Sequence, residues 1–160
     1  MADRLTGNVA LDRLRVVSDE IVVGVVAALP RWAVREVGRI VDAWVADGGA
    51  SHPWEAAAAR AGDAAAERVG AELRALFALD VAAMTRTPLE VVRTAVREPT
   101  AVLAALGIAP VARDEFDSRS WPDDRYGLTP ATLGDLGDAD LGPLLLAWGM
   151  AKAAVLAAAR

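Results

Sequence analysis

Apolar residues recur at intervals of three and four along most of the chain, which is the spacing of amphipathic α-helices. The first such stripe contains Leu11, Leu14, Ile21, Val22, Val25 and Leu29. Within it, residues 21–29 are apolar on all sides, and their β-branched valines favour a strand locally. Residues 27–29 continue the stripe with good helix formers, and no second strand offers itself, so we interpret 21–29 as a buried helix.

Proline and glycine place the predicted boundaries of the next two helices. Pro30 is expected to end the first helix and to restart the chain as a second one. The second carries Val34, Val37, Val41 and Trp44 on one seam and ends at residues 47–49. Pro53 is expected to open a third helix reaching Met84, the first half of which is almost entirely alanine.

The second half of the chain predicts several shorter helices. Thr87 and Glu90, with proline between them, form the signature of a capping box. Pro99 is expected to interrupt that helix and to start another short one through Leu106. Residues 108–128 read as an ordered loop. A short helix to Leu136 and a final helix from Leu141 follow. The pattern therefore predicts an all-α fold, an irregular helical bundle of six or seven helices in one domain over residues 1–160, with one long loop that is acidic and contains aromatic residues.

The last predicted helix is long and apolar enough to raise the question of a membrane anchor. It has one charged residue, Lys152. A central lysine costs about 2.5–3.5 kcal/mol on insertion, which nearly cancels the drive from the leucines. We expect a core helix, with Leu144, Leu145, Trp148, Ala151 and Val155 on its buried face and Lys152 reaching out to water, and no membrane partner.

Composition removes several classes of chemistry. The chain has no cysteine and one histidine, His52, so thiol nucleophiles, disulfides and multi-histidine zinc sites within one chain are excluded. His52 itself, just before Pro53, is interpreted as a loop residue. The net charge of −5 disfavours nucleic acid as a partner. No nucleotide-binding or hydrolase motif occurs, we expect no cofactor, and the first residues show no apolar signal segment, which predicts a cytoplasmic protein.

The negative charge is concentrated in one region. Residues 114–140 hold eight acids and two arginines, a net charge of −6, which leaves +1 for the rest of the chain. Asp135, Asp138 and Asp140 could together bind a hard cation, but helix and turn capping explains them more simply, and we expect no metal. Two arginine stripes, Arg31–Arg35–Arg39 and Arg93–Arg97, could hold a phosphate or an acidic partner, form solvated faces, or pair internally with the acidic segment.

Residues 113–128 are the strongest candidate for a functional surface. They hold three of the eight aromatic residues of the chain, and aromatic anchors beside arginine are typical of interaction hot spots. The alternative is that the loop is pinned to the body for structural reasons alone. The candidate partner- or ligand-binding residues are Arg113, Asp114, Phe116, Trp121, Asp123, Asp124 and Tyr126; no catalytic residue is assigned.

The stretch from Thr87 to Lys152 carries the segments TPLEVVRTAVREPTAVLAALGI, PDDRYGLTPATLGDL and LAWGMAKAAV. On these segments the chain resembles a family of uncharacterised proteins from high-GC actinobacteria. The family has no assigned activity, so the resemblance implies a lineage and supplies no catalytic residue.

These observations favour a non-catalytic protein that acts through protein–protein contacts, with residues 113–128 as its recognition surface. The first alternative is a sensor of a small molecule or metal ion, with its ligand between the helices and that loop. An enzyme built on Asp, Arg and Tyr is the second. We also expect a homodimer, formed through the Val34–Val37–Val41–Trp44 seam or through the alanine-rich half of the third helix.

Overall fold

The computed structural model describes residues 2–160, and every regular element in that range is helical. The α-helices are α1 (Ala2–Ala46), α2 (Glu55–Phe77), α3 (Pro88–Arg93), α4 (Arg97–Ala105), α5 (Glu115–Ser120) and α6 (Leu141–Ala158). Short 3-10 turns occupy Val81–Ala83, Thr94–Val96 and Leu133–Leu136. Because Thr94–Val96 joins α3 to α4 without a break, the described chain forms five helical segments. The all-α prediction is confirmed, whereas the expected count of six or seven helices is not matched exactly.

The prediction that Pro30 ends the first helix is wrong. Helix α1 continues through Pro30 to Ala46, so residues 21–29 are helical as interpreted. An interior proline costs a helix about 3 kcal/mol. Here the burial of apolar side chains before and after Pro30 in the sequence offsets that cost. Leu29 and Trp32 are almost fully buried, and ending the helix at Pro30 would expose them.

Other predicted boundaries shift for local reasons. Helix α2 ends at Phe77 and not at Met84, because Asp80 accepts a hydrogen bond from Ala82 N (3.0 Å) and starts a separate 3-10 turn. The helix that begins at Pro88 gives way to the 3-10 turn Thr94–Val96, and a separate helix, α4, follows and is capped at Leu106, as predicted. The interruption comes just before Pro99, which lies in the first turn of α4. The expected loop 108–128 contains α5, and the short helix to Leu136 is a 3-10 turn. The Thr87–Glu90 capping box is confirmed in both of its hydrogen bonds.

Small residues let α2 pack closely along α1. Its buried residues are Ala58, Ala61, Gly62, Ala65, Ala66, Val69, Gly70, Leu73 and Leu76. At Gly62 the approach is closest, since a Cβ there would lie 2.7 Å from the Cα of Pro30. Val37 and Val41 are buried in the same core, and Val34 and Trp44 pack against it. Both surfaces expected to form a dimer interface are therefore largely occupied within one chain.

An arginine links α2 to the α3–α4 segment. Arg68 donates to both carboxylate oxygens of Glu98 (2.6 and 2.9 Å) and to Glu72 (2.9 Å). It also donates to the hydroxyl and the carbonyl oxygen of Thr94 (3.0 and 2.8 Å). This partly buried, multiply bonded guanidinium fixes the position of the segment that bears Arg93 and Arg97.

Helix α6 runs antiparallel to α1, since Gly7 approaches Ala158 while Gly24 approaches Leu141. Leu141, Trp148 and Ala151 are its buried residues. Lys152 does not reach out to water as expected. Its Nζ donates to Met84 O at 2.6 Å and lies 5.4 Å from the centre of the Trp148 ring.

The expectation of a core helix is met only on one side of α6. Leu144, Leu145 and Val155 of the predicted face are half-buried and pack against the core. In the described residues, α6 is the one helix whose length and composition would allow it to cross a membrane, and 17% of it is buried.

Alanine substitutions at Gly62 and Gly149 are expected to change stability in opposite directions. Alanine in a helix is favoured over glycine by about 0.5–1 kcal/mol. At Gly149 an added Cβ meets nothing within 4 Å, so Gly149→Ala should raise the free energy of unfolding by that amount. At Gly62 it meets backbone, and overpacking costs about 1–3 kcal/mol, so Gly62→Ala should be destabilising. Urea unfolding followed by circular dichroism measures both. A stabilised Gly62→Ala variant would contradict the close α1–α2 contact.

Candidate functional site

Arginines from two parts of the scaffold hold the acidic segment in place. From α1, Arg35 donates to Asp135 O (2.8 Å) and Arg39 to Gly127 O (3.5 Å). At the start of α4, Arg97 pairs with the Asp123 carboxylate at 3.1 Å. Of the three roles open to the arginine stripes, contact with the acidic segment is found for these residues, as an ion pair for Arg97 and as hydrogen bonds to backbone carbonyls for Arg35 and Arg39.

Asp124 organises the turn that follows. Its Oδ1 accepts from the amides of Tyr126 (3.3 Å) and Leu128 (2.9 Å). Its Oδ2 accepts from the Thr129 amide (2.8 Å) and hydroxyl (2.6 Å). Burial alone would raise the pKa of this carboxyl, but the hydrogen bonds to its ionised form outweigh burial and hold the pKa below its ordinary value. Asp124, 3% exposed, is a structural residue.

Tyr126 is the second internal anchor. Its hydroxyl donates to Ile108 O at 2.7 Å, and the side chain is buried. Burial raises the pKa of Tyr126, against a smaller opposing effect of Arg125. The tyrosine therefore attaches the segment to the end of α4 and is not available to a partner.

Helix α5 is fixed at both of its ends. Asp114 caps its start, since Oδ1 accepts from Asp117 N at 2.7 Å. Near its end, Arg113 Nη2 donates to the carbonyl oxygens of Asp117 and Trp121. Carbonyls at a helix C-terminus lack intrahelical partners, and a cation satisfies them well. Arg113 and Asp114 thus position α5.

The aromatic side chains left at the surface are Phe116 and Trp121. Their ring centroids are 6.1 Å apart in an edge-to-face arrangement. Phe116 is 70% exposed, while Trp121 is half-buried. The Arg93 guanidinium carbon lies 5.6 Å from the centre of the Trp121 ring, within range of a cation–π interaction.

Trp121 and Arg93 both line two surface cavities. One, of about 300 Å³, is completed mainly by residues between 120 and 129, among them Asp123, and by Glu90 of α3. The other, of about 370 Å³, is bordered by Val111 and Arg113. Arg93 Nε donates to Pro130 O at 3.4 Å, and the guanidinium makes no ion pair among the described residues. A cation stacked on an aromatic face beside open cavities can receive a carboxylate or another anion.

The seven predicted residues fall into two groups, those that hold the segment 113–128 together and those that lie at its surface. Arg113, Asp114, Asp124 and Tyr126 are engaged in holding the segment together. Phe116, Trp121 and Asp123 are at the surface. Arg93 belongs to the surface but not to the predicted residues. The sequence shows its spacing with Arg97, but not its packing on Trp121, a residue 28 positions away.

The acids that suggested a cation site serve the turns. Asp135 Oδ2 accepts from the amides of Ala131 and Thr132, both at 2.9 Å. Asp138 Oδ1 accepts from Asp140 N at 3.0 Å. Among the side chains that the structure describes, no group of three or more histidines, aspartates or glutamates is arranged to hold a metal ion. His52 is exposed ahead of α2.

Comparison with protein-family models, with curated proteins and with solved structures finds no match to this chain. The actinobacterial resemblance therefore stays a prediction.

Asp124→Asn should destabilise the protein far more than Asp123→Asn. Both carboxylate oxygens of Asp124 accept hydrogen bonds, and asparagine replaces one of these oxygens with an NH2 group, which is a donor. The N–H and O–H groups that face it would lose their acceptor, and an unsatisfied buried polar group costs about 1–3 kcal/mol. Asp123→Asn removes only an exposed ion pair, with a loss of about 0–1 kcal/mol. Chemical denaturation at neutral pH measures the free energy of unfolding of both variants. Equal losses would contradict the structural role of Asp124.

The cost of Asp124→Asn should also depend on pH. Because the folded pKa of Asp124 lies below the ordinary value of 3.8, its contribution is fully present above that value and is lost as pH falls through the folded pKa. Denaturation curves at several pH values should show that the difference in free energy of unfolding between wild type and Asp124→Asn shrinks below about pH 4. A difference that grows on acidification would contradict this assignment.

Proposed function

We propose that the chain is a non-catalytic cytoplasmic protein that acts through protein–protein contacts, and that Phe116 and Trp121 form its recognition surface. The partner is a protein and not a nucleic acid, since the net charge of −5 opposes binding to a polyanion. The surface comprises Phe116, Trp121, Arg93 and Asp123, and is called the Trp121 surface below.

The observation that carries the proposal is an exposed phenylalanine on a firmly held element. Phe116 lies on α5, and the ends of α5 are fixed by Asp114 and Arg113. The turn that follows is fixed by Asp124. An aromatic residue on a backbone that is already fixed costs less ordering entropy on binding than one on a free loop, which is an advantage in a recognition surface.

The composition of the Trp121 surface supports the same proposal. Tryptophan and arginine are the residues most often found at interaction hot spots. Here they are in contact, with Asp123 and Arg97 forming an exposed ion pair at the edge. The arrangement suits a partner that places an apolar side chain beside Trp121 and a carboxylate toward Arg93.

The two cavities beside Trp121 favour one alternative, a small-molecule sensor. Ligand pockets combine apolar walls with a few oriented polar groups, and Arg93 provides such a group in both cavities. Their volumes, about 300 and 370 Å³, lie at the lower end of the range for small ligands.

Phe116→Ala is expected to weaken partner binding about thirtyfold or more while the protein stays folded. Phe116 is mostly exposed, so the melting temperature should hardly change. An interface aromatic contributes about 2 kcal/mol or more, which is about thirtyfold in affinity. Affinity enrichment from a lysate of the source organism, quantified by mass spectrometry, should recover a discrete protein with wild type and lose it with the variant.

The matched control is Leu79→Ala, which truncates another exposed apolar side chain, in the turn after α2. This variant should keep the partner. Retention of every partner by Phe116→Ala would contradict the proposal. A metabolite that raises the melting temperature of wild type but not of Arg93→Ala, with no protein enriched, would favour the sensor instead.

A further inference from the structure

The outward side of α6 is apolar along its whole length. Leu146 and Met150 are 68% and 65% exposed, and the one charged residue of α6, Lys152, is bonded to Met84 O on the opposite side. The exposed residues of the helix are Pro143, Leu146, Gly149, Met150, Ala153, Ala154 and Ala157. A continuous exposed apolar surface of this kind marks an interaction site.

Helix α1 extends this surface. Val9, Val16 and Val23 are exposed and recur every seven residues, so they lie along one side of α1. Val23 lines a shallow groove of about 630 Å³ together with Leu144 and Ala147 of α6. The α6 face, meaning the exposed residues named above, thus continues into the apolar part of a groove between two antiparallel helices.

The charges beside the α6 face disfavour a lipid surface. Asp19, Glu20, Asp138 and Asp140 line the same groove, and anionic membranes attract basic clusters, not acidic ones. Interfacial helices carry lysine and arginine on their polar side, whereas the only cation of α6 is bonded within the protein. Insertion of α6 across a bilayer would withdraw Trp148 from the core.

We propose that the α6 face binds the α6 face of a second copy of the chain, antiparallel across a two-fold axis at Met150. The face runs from Pro143 to Ala157, and its centre is residue 150. Antiparallel pairing about that centre places Leu146 opposite Ala154 and Pro143 opposite Ala157. Larger side chains in the first half of the face therefore meet smaller ones in the second half, as a self-complementary interface requires.

Charge complementarity fixes the same register. With Met150 on the axis, Asp140 of one copy lies opposite Arg160 of the other. Both residues are exposed, and neither side chain forms an ion pair among the described residues. The two-fold axis produces this pair twice, one at each end of the face. This interface uses a surface separate from the Trp121 surface, so it goes beyond the proposed function and either can fail alone.

Introduced cysteines test the register directly, because the chain has none of its own. Met150→Cys should form an intermolecular disulfide on mild oxidation. Leu146→Cys alone should not, since its two copies are offset by eight residues, about 12 Å along the helices, beyond disulfide reach. Leu146→Cys combined with Ala154→Cys should cross-link. Leu79→Cys, exposed elsewhere, is the control for random collision.

Sedimentation equilibrium at tens of micromolar should give twice the 16.7 kDa mass of the chain. Met150→Glu places like charges together on the axis and should weaken the dimer by about tenfold or more, with unchanged circular dichroism because residue 150 is exposed. Asp140→Arg should weaken it as well, and Asp140→Arg with Arg160→Asp should restore it.

Three results would overturn the proposal. One is a monomer at these concentrations, and another is cross-linking of Leu146→Cys with itself as efficiently as Met150→Cys. The third is co-flotation of the monomer with phosphatidylcholine vesicles, with or without phosphatidylglycerol, that Met150→Glu abolishes. That result would assign the α6 face to a lipid surface.

Discussion

The close packing of α1 against α2 is the contact on which the rest of the structure depends. Helix α1 is 45 residues long, far longer than α2, and it also contacts α4, α6 and the 3-10 turn at Leu133–Leu136. Alanine and glycine on α2 bring the two backbones together at Pro30 and Gly62. A pair packed so closely forms a scaffold, and the other elements attach along it.

The scaffold determines where the acidic segment lies. Arg35 and Arg39 extend from α1, while Arg97 belongs to the segment that Arg68 fixes to α2. Each of these bonds is exposed or partly exposed and weak alone. Together with the buried Asp124 and Tyr126 they turn a run of sixteen mostly polar residues, 113–128, into an ordered element whose exposed aromatic groups have defined positions.

Features governed by nearby residues could be predicted from the sequence. The Thr87–Glu90 box depends on a spacing of three, and it forms as predicted. The all-α class follows from a periodicity that tertiary packing preserves. The prediction at Pro30 was wrong because a local cost was outweighed by burial of Leu29 and Trp32, which the local pattern does not contain.

In the candidate site, too, features that depend on nearby residues could be predicted, whereas those that depend on tertiary contacts could not. The sequence pattern indicates residues 113–128, but it does not distinguish Asp123 from Asp124. Asp123 pairs with Arg97 at the surface, whereas Asp124 is buried and accepts hydrogen bonds from the amides of the turn that follows. The position of that turn in the fold decides which of the two is buried. The orientation of Lys152 and the stacking of Arg93 on Trp121 likewise depend on contacts between residues distant in the chain.

Amide hydrogen exchange in the segment 113–130 tests most directly whether it is a rigid element presented by the scaffold. The amides of Leu128 and Thr129, bonded to Asp124 at 2.9 and 2.8 Å, should be protected to a degree that approaches the core amides of Leu29 and Val69. Exchange of Leu128 and Thr129 at the rate of an unstructured chain, while Leu29 and Val69 stay protected, would contradict it.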